Sequence, residues 1–177
     1  LDIRDGVAWI KLDRATKRNA INDALLADLE SRVTEAQGAT RAMVIHGNGP
    51  CFSAGLDLGE HRAREPTEVF WHSRGWHRVF RAIRTGRVPA VAAIHGACVG
   101  GGLELAAACH IRVADETALF APLTVLGILG ALPRIAGMAE EDGLFVESLM
   151  AALAQTAPES TAGLTAFIEK RAPKAGT

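Results

Sequence analysis

A chain of 177 residues with 49% hydrophobic and 22% charged side chains is long enough for one sizeable core and too apolar to remain disordered. A net charge of −1 supplies no global basic field for nucleic acid or an anionic membrane. Three cysteines, Cys51, Cys98 and Cys109, form no CxxC pair, so a disulfide framework is not predicted and small buried thiols in a reducing cytoplasm are.

No charged-then-apolar leader opens the sequence, and no secretory signal is expected. The longest apolar stretch, Ala90 to Ala108, is interrupted by His95, Glu104 and a glycine run and makes a poor membrane span. Val7, Trp9, Ile10 and Leu12 follow an Asp5-Gly6 turn signal and predict a strand. Arg14 to Asn19 is polar and reads as a loop. Asn22 or Asp23 then caps a helix with Leu25, Leu26, Leu29, Val33 and Ala36 at helical spacing, closed by Gly38. Arg41 to His46 predicts a buried strand, and Glu65-Pro66-Thr67 opens a long amphipathic helix. Its Phe70, Trp71, Trp76 and Phe80 are expected in the core. Pro89 to His95 predicts another strand, Leu103 to Cys109 a helix, and Ile111 to Ala114 and Glu116 to Phe120 two further strands. The alternation argues for an α/β core over residues 1–120. Residues 121–177, rich in Leu, Ala and Met, read as a helical C-terminal region with Leu144, Val146, Leu149 and Leu153 on its apolar side.

Two glycine-containing turns follow apolar strands: Cys51-Phe52-Ser53-Ala54-Gly55-Leu56-Asp57-Leu58, and His95 through Gly100-Gly101-Gly102 to Leu105. Small residues let a ligand approach the backbone, and a glycine run at a helix start leaves N–H groups free at the positive end of the dipole. Two such turns side by side could aim a pair of donors at one developing oxyanion. Neither is a GxGxxG dinucleotide turn or a GK[ST] phosphate loop. Taken alone, Gly100-Gly101-Gly102 is also compatible with a tight strand-to-helix turn. Glu104, in the first turn of that helix, is either a carboxylate satisfying the dipole or a general base. Neither His95 nor His110 is expected to hold a metal or act as acid or base, since no metal-ligand spacing surrounds them, and His95 reads as a structural hydrogen bond.

The segments RATKRNAIN, GNGPCFSAGLDL and VPAVAAIHGACVGGGLELAAACHIRVADETALF resemble the successive signatures of the crotonase superfamily, the enoyl-CoA hydratase/isomerase family. The resemblance implies a core of stacked ββα turns, a helical C-terminal region used in homotrimer or hexamer contacts, and an acyl-CoA thioester as substrate. Coenzyme A is then part of the substrate, and no separate cofactor or metal is implied. The resemblance makes the backbone N–H groups of Leu56 and Gly101 the oxyanion donors. It puts Ser53, Ala54, Gly55 and Asp57 along the CoA path, Arg18 in a CoA-contacting stretch, and Glu104 at one of two hydratase glutamates. His110 stands where the family commonly has an acidic residue.

The resemblance breaks after Phe120. The family has a Pro-Glu pair there, carrying the second glutamate, then a glycine-rich turn and further helices. This chain reads Phe120-Ala121-Pro122-Leu123-Thr124 and runs into a segment like the last helices. Either the sequence carries an internal deletion or the structure omits residues at this point; the second is expected. Hydration of a trans-2-enoyl-CoA is the activity implied, with isomerisation or another acyl-CoA reaction, or non-catalytic acyl-CoA binding, as alternatives.

Overall fold

The computed structural model describes residues 1–59, 64–121 and 138–156. The described strands and helices run in the order β1 (Asp2–Arg4), β2 (Val7–Leu12), α1 (Asp23–Ala39), β3 (Ala42–Gly47), α2 (Pro66–Arg84), β4 (Ala90–Ile94), β5 (Ala97–Val99), α3 (Gly101–Ala108), β6 (Ile111–Ala114), β7 (Leu119–Ala121) and α4 (Glu140–Thr156). This is the α/β class predicted.

The main sheet has the order β1-β2-β3-β4-β6. β1 is antiparallel to β2 and every other pairing is parallel. Parallel neighbours need crossovers, and the helices supply them: α1 between β2 and β3, α2 between β3 and β4, α3 on the way to β6. Period-two alternation fixes the register. Ala8 lies beside Met43, which lies beside Ala90; Ile10 lies beside Ile45, which lies beside Ala92. All six are fully buried or within 1% of it, so a one-residue slip would expose the whole layer. A second sheet pairs β5 with β7 in parallel.

Helix α1 starts as predicted: the Asn22 side chain accepts a 3.0 Å bond from the Leu25 N–H. Leu26, Leu29, Val33 and Ala36 form its buried stripe. Gly38 does not close it. The helix runs on to Ala39 and is capped by Thr40, whose N–H donates to Ala36 O at 3.1 Å and whose single hydroxyl hydrogen is shared between Ala36 O and Ala42 O, each 3.0 Å from Oγ1. A Cβ at Gly38 would meet nothing within 4 Å. Gly38→Ala is therefore expected to raise stability by about 0.5–1 kcal/mol, by restricting the unfolded chain. A drop in the midpoint of chemical denaturation would contradict this.

Compactness divides the chain into one unit of Leu1–Leu56 with Gly75–Val125 and another of Asp57–Arg74 with Leu126–Thr177. In the second unit Phe70 meets Phe145 edge-on at 5.5 Å, and the Ser73 hydroxyl donates to Glu147 at 3.0 Å. Leu144 and Val146 are half-buried there, but Leu149 is exposed, and the side chain of Leu153 lies outside the described residues. Trp71 is 67% exposed, correcting its expected place in the core. It is five residues from Trp76, so at 100° per residue the two rings point to different sides of α2.

The cysteines are buried free thiols, as predicted. Burial pushes the Cys98 thiol up to about 11 and the Cys109 thiol up to about 12. Both then stay protonated in the fold where the unfolded chain would already ionise, near pH 8.5. Their contribution is complete below that pH and is lost as pH climbs toward the folded values. Stability should fall from about pH 9 upward. At pH 8 a chromogenic disulfide reagent should leave both thiols unmodified until denaturant is added. Rapid native-state labelling of Cys98 or Cys109 would contradict this.

Candidate active site

The turn after β3 is held from two directions. From one side comes the Arg18–Ile21 segment. Ala54 N–H donates to Arg18 O at 2.9 Å, Ile21 N–H donates to Gly55 O at 2.7 Å, and the Ser53 hydroxyl donates to Asn19 O at 2.8 Å while accepting from the Gly55 N–H at 3.1 Å. Asn19 anchors this segment and is fully buried. Its Nδ2 donates to Asn48 O and to Cys51 O, both at 2.8 Å, and its Oδ1 accepts from the Arg14 N–H at 2.9 Å. Arg18 and Asn19 both have φ near +50°, a conformation Asn tolerates better than most residues.

From the other side comes the strand leading to α3. Phe52 N–H donates to His95 O at 2.7 Å, Ser53 N–H to Ala97 O at 3.0 Å, and Val99 N–H to Ser53 O at 3.1 Å. The last two bonds form a parallel bridge between Ser53 and Cys98. Each turn thus adds a strand-like rung to the other, and the two glycine turns converge.

Their meeting point is Gly55 and Gly101. Gly55 has φ +83°, and a Cβ there would stand 2.7 Å from Val99 O and 3.0 Å from Gly101 N. Gly101 is the first residue of α3, after Gly100 at φ 51°, ψ −127°. Its N–H precedes the first helical hydrogen bond, which Glu104 N–H makes to Gly100 O at 3.0 Å. Leu56 follows Gly55 directly and is bridged to Ile21 through its neighbours' groups. Among the described residues neither Leu56 N–H nor Gly101 N–H has a protein acceptor.

Gly102 closes the packing behind this point. A Cβ there would lie 2.7 Å from Ser53 O and 2.8 Å from Ser53 Cβ. Gly102→Ala is expected to cost about 1–3 kcal/mol by overpacking the junction of the two turns. A denaturation midpoint equal to the parent's would show that the turns are not tightly joined.

The remaining sequence-predicted residues divide. Ser53, Ala54 and Gly55 lie on the joined loop. Asp57, in the other compact unit, accepts from Gly59 N–H at 3.1 Å. Arg18 supplies its carbonyl to the loop, and its side chain is exposed. Glu104, in the first turn of α3, is exposed. Leu105 and Ala106 are fully buried and take the core-facing side of α3, so Glu104 turns to the side it shares with Gly101 one turn earlier and Ala107 one turn later. His95 Nε2 bonds Gly49 O at 2.9 Å, the structural role expected of it, and His110 Nδ1 accepts from Ala90 N–H at 3.1 Å. No group of three or more metal-ligating side chains occurs among the described residues. No described helix is long and apolar enough to cross a membrane. The sequence reading missed Asn19, which it placed in an undifferentiated loop, and the position of Trp76. The indole of Trp76 lies against Gly101, where a Cβ would meet its ring atoms at 2.7–3.3 Å.

A family model described as enoyl-CoA hydratase/isomerase matches residues 2–157. An enoyl-CoA isomerase/hydratase of Mycosarcoma maydis is 38% identical over 151 residues, 75% of this chain and 55% of that protein. A 4-chlorobenzoyl coenzyme A dehalogenase of an Arthrobacter species is 36% identical over 146 residues, 75% of this chain and 53% of the relative. The crystal structure of an enoyl-CoA hydratase from Thermoplasma volcanium superposes with a TM-score of 0.68 at 29% identity, covering 86% of this chain and 62% of that one. The chain spans about half the length of the curated relatives it matches. The match over most of its residues, with the fold and the joined glycine turns, makes this chain a member of the enoyl-CoA hydratase/isomerase, or crotonase, family.

Proposed function

We propose that the chain binds an acyl-CoA thioester, that Leu56 and Gly101 N–H groups hold its carbonyl oxygen, and that the reaction is hydration of a trans-2-enoyl-CoA. The observation that carries this reading is the packing of Gly55 against Gly101 N, which sets two acceptor-free N–H groups on adjoining turns. Charge developing on the thioester oxygen as a nucleophile adds to the β-carbon is what such donors stabilise, and removing one donor typically costs about 10²–10³ in rate. Glu104, one turn along α3 from Gly101, is the general base of this reading, activating the water that adds. Ser53, Ala54, Gly55, Asp57 and the side chain of Arg18 line the CoA path. The assembly is a homotrimer or hexamer and the setting cytoplasmic.

Hydration of crotonyl-CoA abolishes the ultraviolet absorbance of the conjugated enoyl thioester. The expected result is time-dependent loss of that absorbance, with 3-hydroxybutyryl-CoA as product. Tight thioester binding without turnover would instead favour the second reading, an acyl-CoA-binding paralogue. The specific observations behind that alternative are the sequence Phe120-Ala121-Pro122-Leu123, with no Pro-Glu pair at that place, and the exposure of Glu104. Relatives named as isomerase and dehalogenase caution that site residues decide the chemistry on this scaffold.

A further inference from the structure

Gly101 has two neighbours on two different sides of its Cα. Its nitrogen lies by Gly55, and the direction its side chain would take is filled by Trp76, whose Cη2, Cζ3 and Cζ2 stand 2.7, 3.0 and 3.3 Å from the Cβ position. The indole cannot swing away freely. Trp76 is 7% exposed, shares its stripe of α2 with the fully buried Val79 and Ile83, and stacks at a tilt on Phe80 with centroids 5.5 Å apart. An oxygen accepting from Gly101 N–H therefore has the Gly55 loop on one flank and a fixed aromatic edge near the other.

We infer that Trp76 is a specificity-determining residue, whose indole edge limits the length of the acyl chain that can extend past Gly101. This rests on the acyl-CoA reading above. A thioester carbonyl carries two substituents. The loop of Ser53 to Leu56 takes the CoA side in that reading, which leaves the acyl side to the flank bounded by Trp76. A rigid ring there admits a short chain and stops a long one. It also makes glycine at position 101 a demand of the protein's own packing, separate from the ligand's approach to the backbone.

The test titrates the full chain, Trp76→Phe and Trp76→Ala with CoA, butyryl-CoA and decanoyl-CoA by calorimetry, after circular dichroism establishes folding. The ratio of decanoyl to butyryl affinity is expected to rise by about tenfold or more in Trp76→Ala and by less in Trp76→Phe, with CoA affinity constant within about twofold. A merely structural tryptophan would weaken all three ligands together, and an unchanged ratio in the folded variants overturns the inference. If Trp76→Ala does not fold, the ratio in Trp76→Phe decides. A second arm pairs Gly101→Ala with Gly101→Ala/Trp76→Ala. The single variant is expected to lose stability and the double variant to regain it, because the second substitution opens the space the new methyl needs. Failure of the double variant to recover counts against the packing on which the inference stands. A parent that binds CoA but discriminates neither acyl ligand from it overturns the acyl-CoA reading itself, and the inference with it.

Discussion

Asn19→Ala is expected to lower the melting temperature by about 10 °C. The side chain is fully buried and makes three hydrogen bonds: two donated, to Asn48 O and Cys51 O, and one accepted from Arg14 N–H. Each such bond contributes about 1 kcal/mol net, and a buried partner left unsatisfied adds a further desolvation cost. Alanine also tolerates the φ of +52° less well than asparagine. A loss of about 3–4 kcal/mol follows, about 10 °C for a domain of this size. The effect reaches the site, because Asn19 O accepts the Ser53 hydroxyl and Cys51 and Ser53 lead into Gly55 and Leu56. Asn19→Asp is a sharper probe. It keeps the shape and the acceptor for Arg14 N–H but cannot donate to the two carbonyls. A melting temperature within about 2 °C of the parent for both variants would show that the loop is held elsewhere.

Glu104→Gln is expected to slow hydration of a short enoyl-CoA by about 10²–10⁴-fold, the range for loss of a positioned acid or base. Glutamine keeps length and hydrogen bonding but cannot take a proton from water. Stability should hardly move, since the side chain is exposed and the core side of α3 is carried by Leu105 and Ala106. Thioester affinity should stay within about twofold of the parent, because in the proposed function Leu56, Gly101 and the 53–57 loop hold the ligand. The decisive readout is therefore kcat with affinity constant. Equal turnover by Glu104→Gln and parent would reduce Glu104 to a first-turn carboxylate that complements the helix dipole.

Much of the architecture was legible because its elements obey clear periods. Val7, Trp9, Ile10 and Leu12 follow a turn signal, and Leu26, Leu29, Val33 and Ala36 repeat at helical spacing, so β2 and α1 fell where predicted. β1 and β5 escaped for a physical reason. Each is three residues long; β1 is exposed throughout and β5 sits between glycine turns, so neither carries enough alternation to register. Gly38 misled because an exposed glycine inside a helix looks like a stop signal, while the stop was made at Thr40, which turns to extended backbone with its N–H and hydroxyl on Ala36 O. At the site, the two turns were recognisable by composition, but not their juxtaposition. Ser53 and Cys98 are 45 positions apart, and only the resemblance to a family joined them before the bridge was seen. The exposure of Glu104 was not readable either, since it follows from which side of α3 Leu105 and Ala106 bury.

The central claim is that Leu56 and Gly101 donate jointly to one thioester oxygen. Amide nuclear magnetic resonance of the 15N-labelled chain tests it with butyryl-CoA, which carries the carbonyl, and CoA, which lacks it. Both ligands should shift amides on the 53–57 loop. Only butyryl-CoA should move the Leu56 and Gly101 protons downfield, together and with the same saturation, as two donors engaging one acceptor require. Saturation by butyryl-CoA with the two amides no further displaced than by CoA would contradict the account.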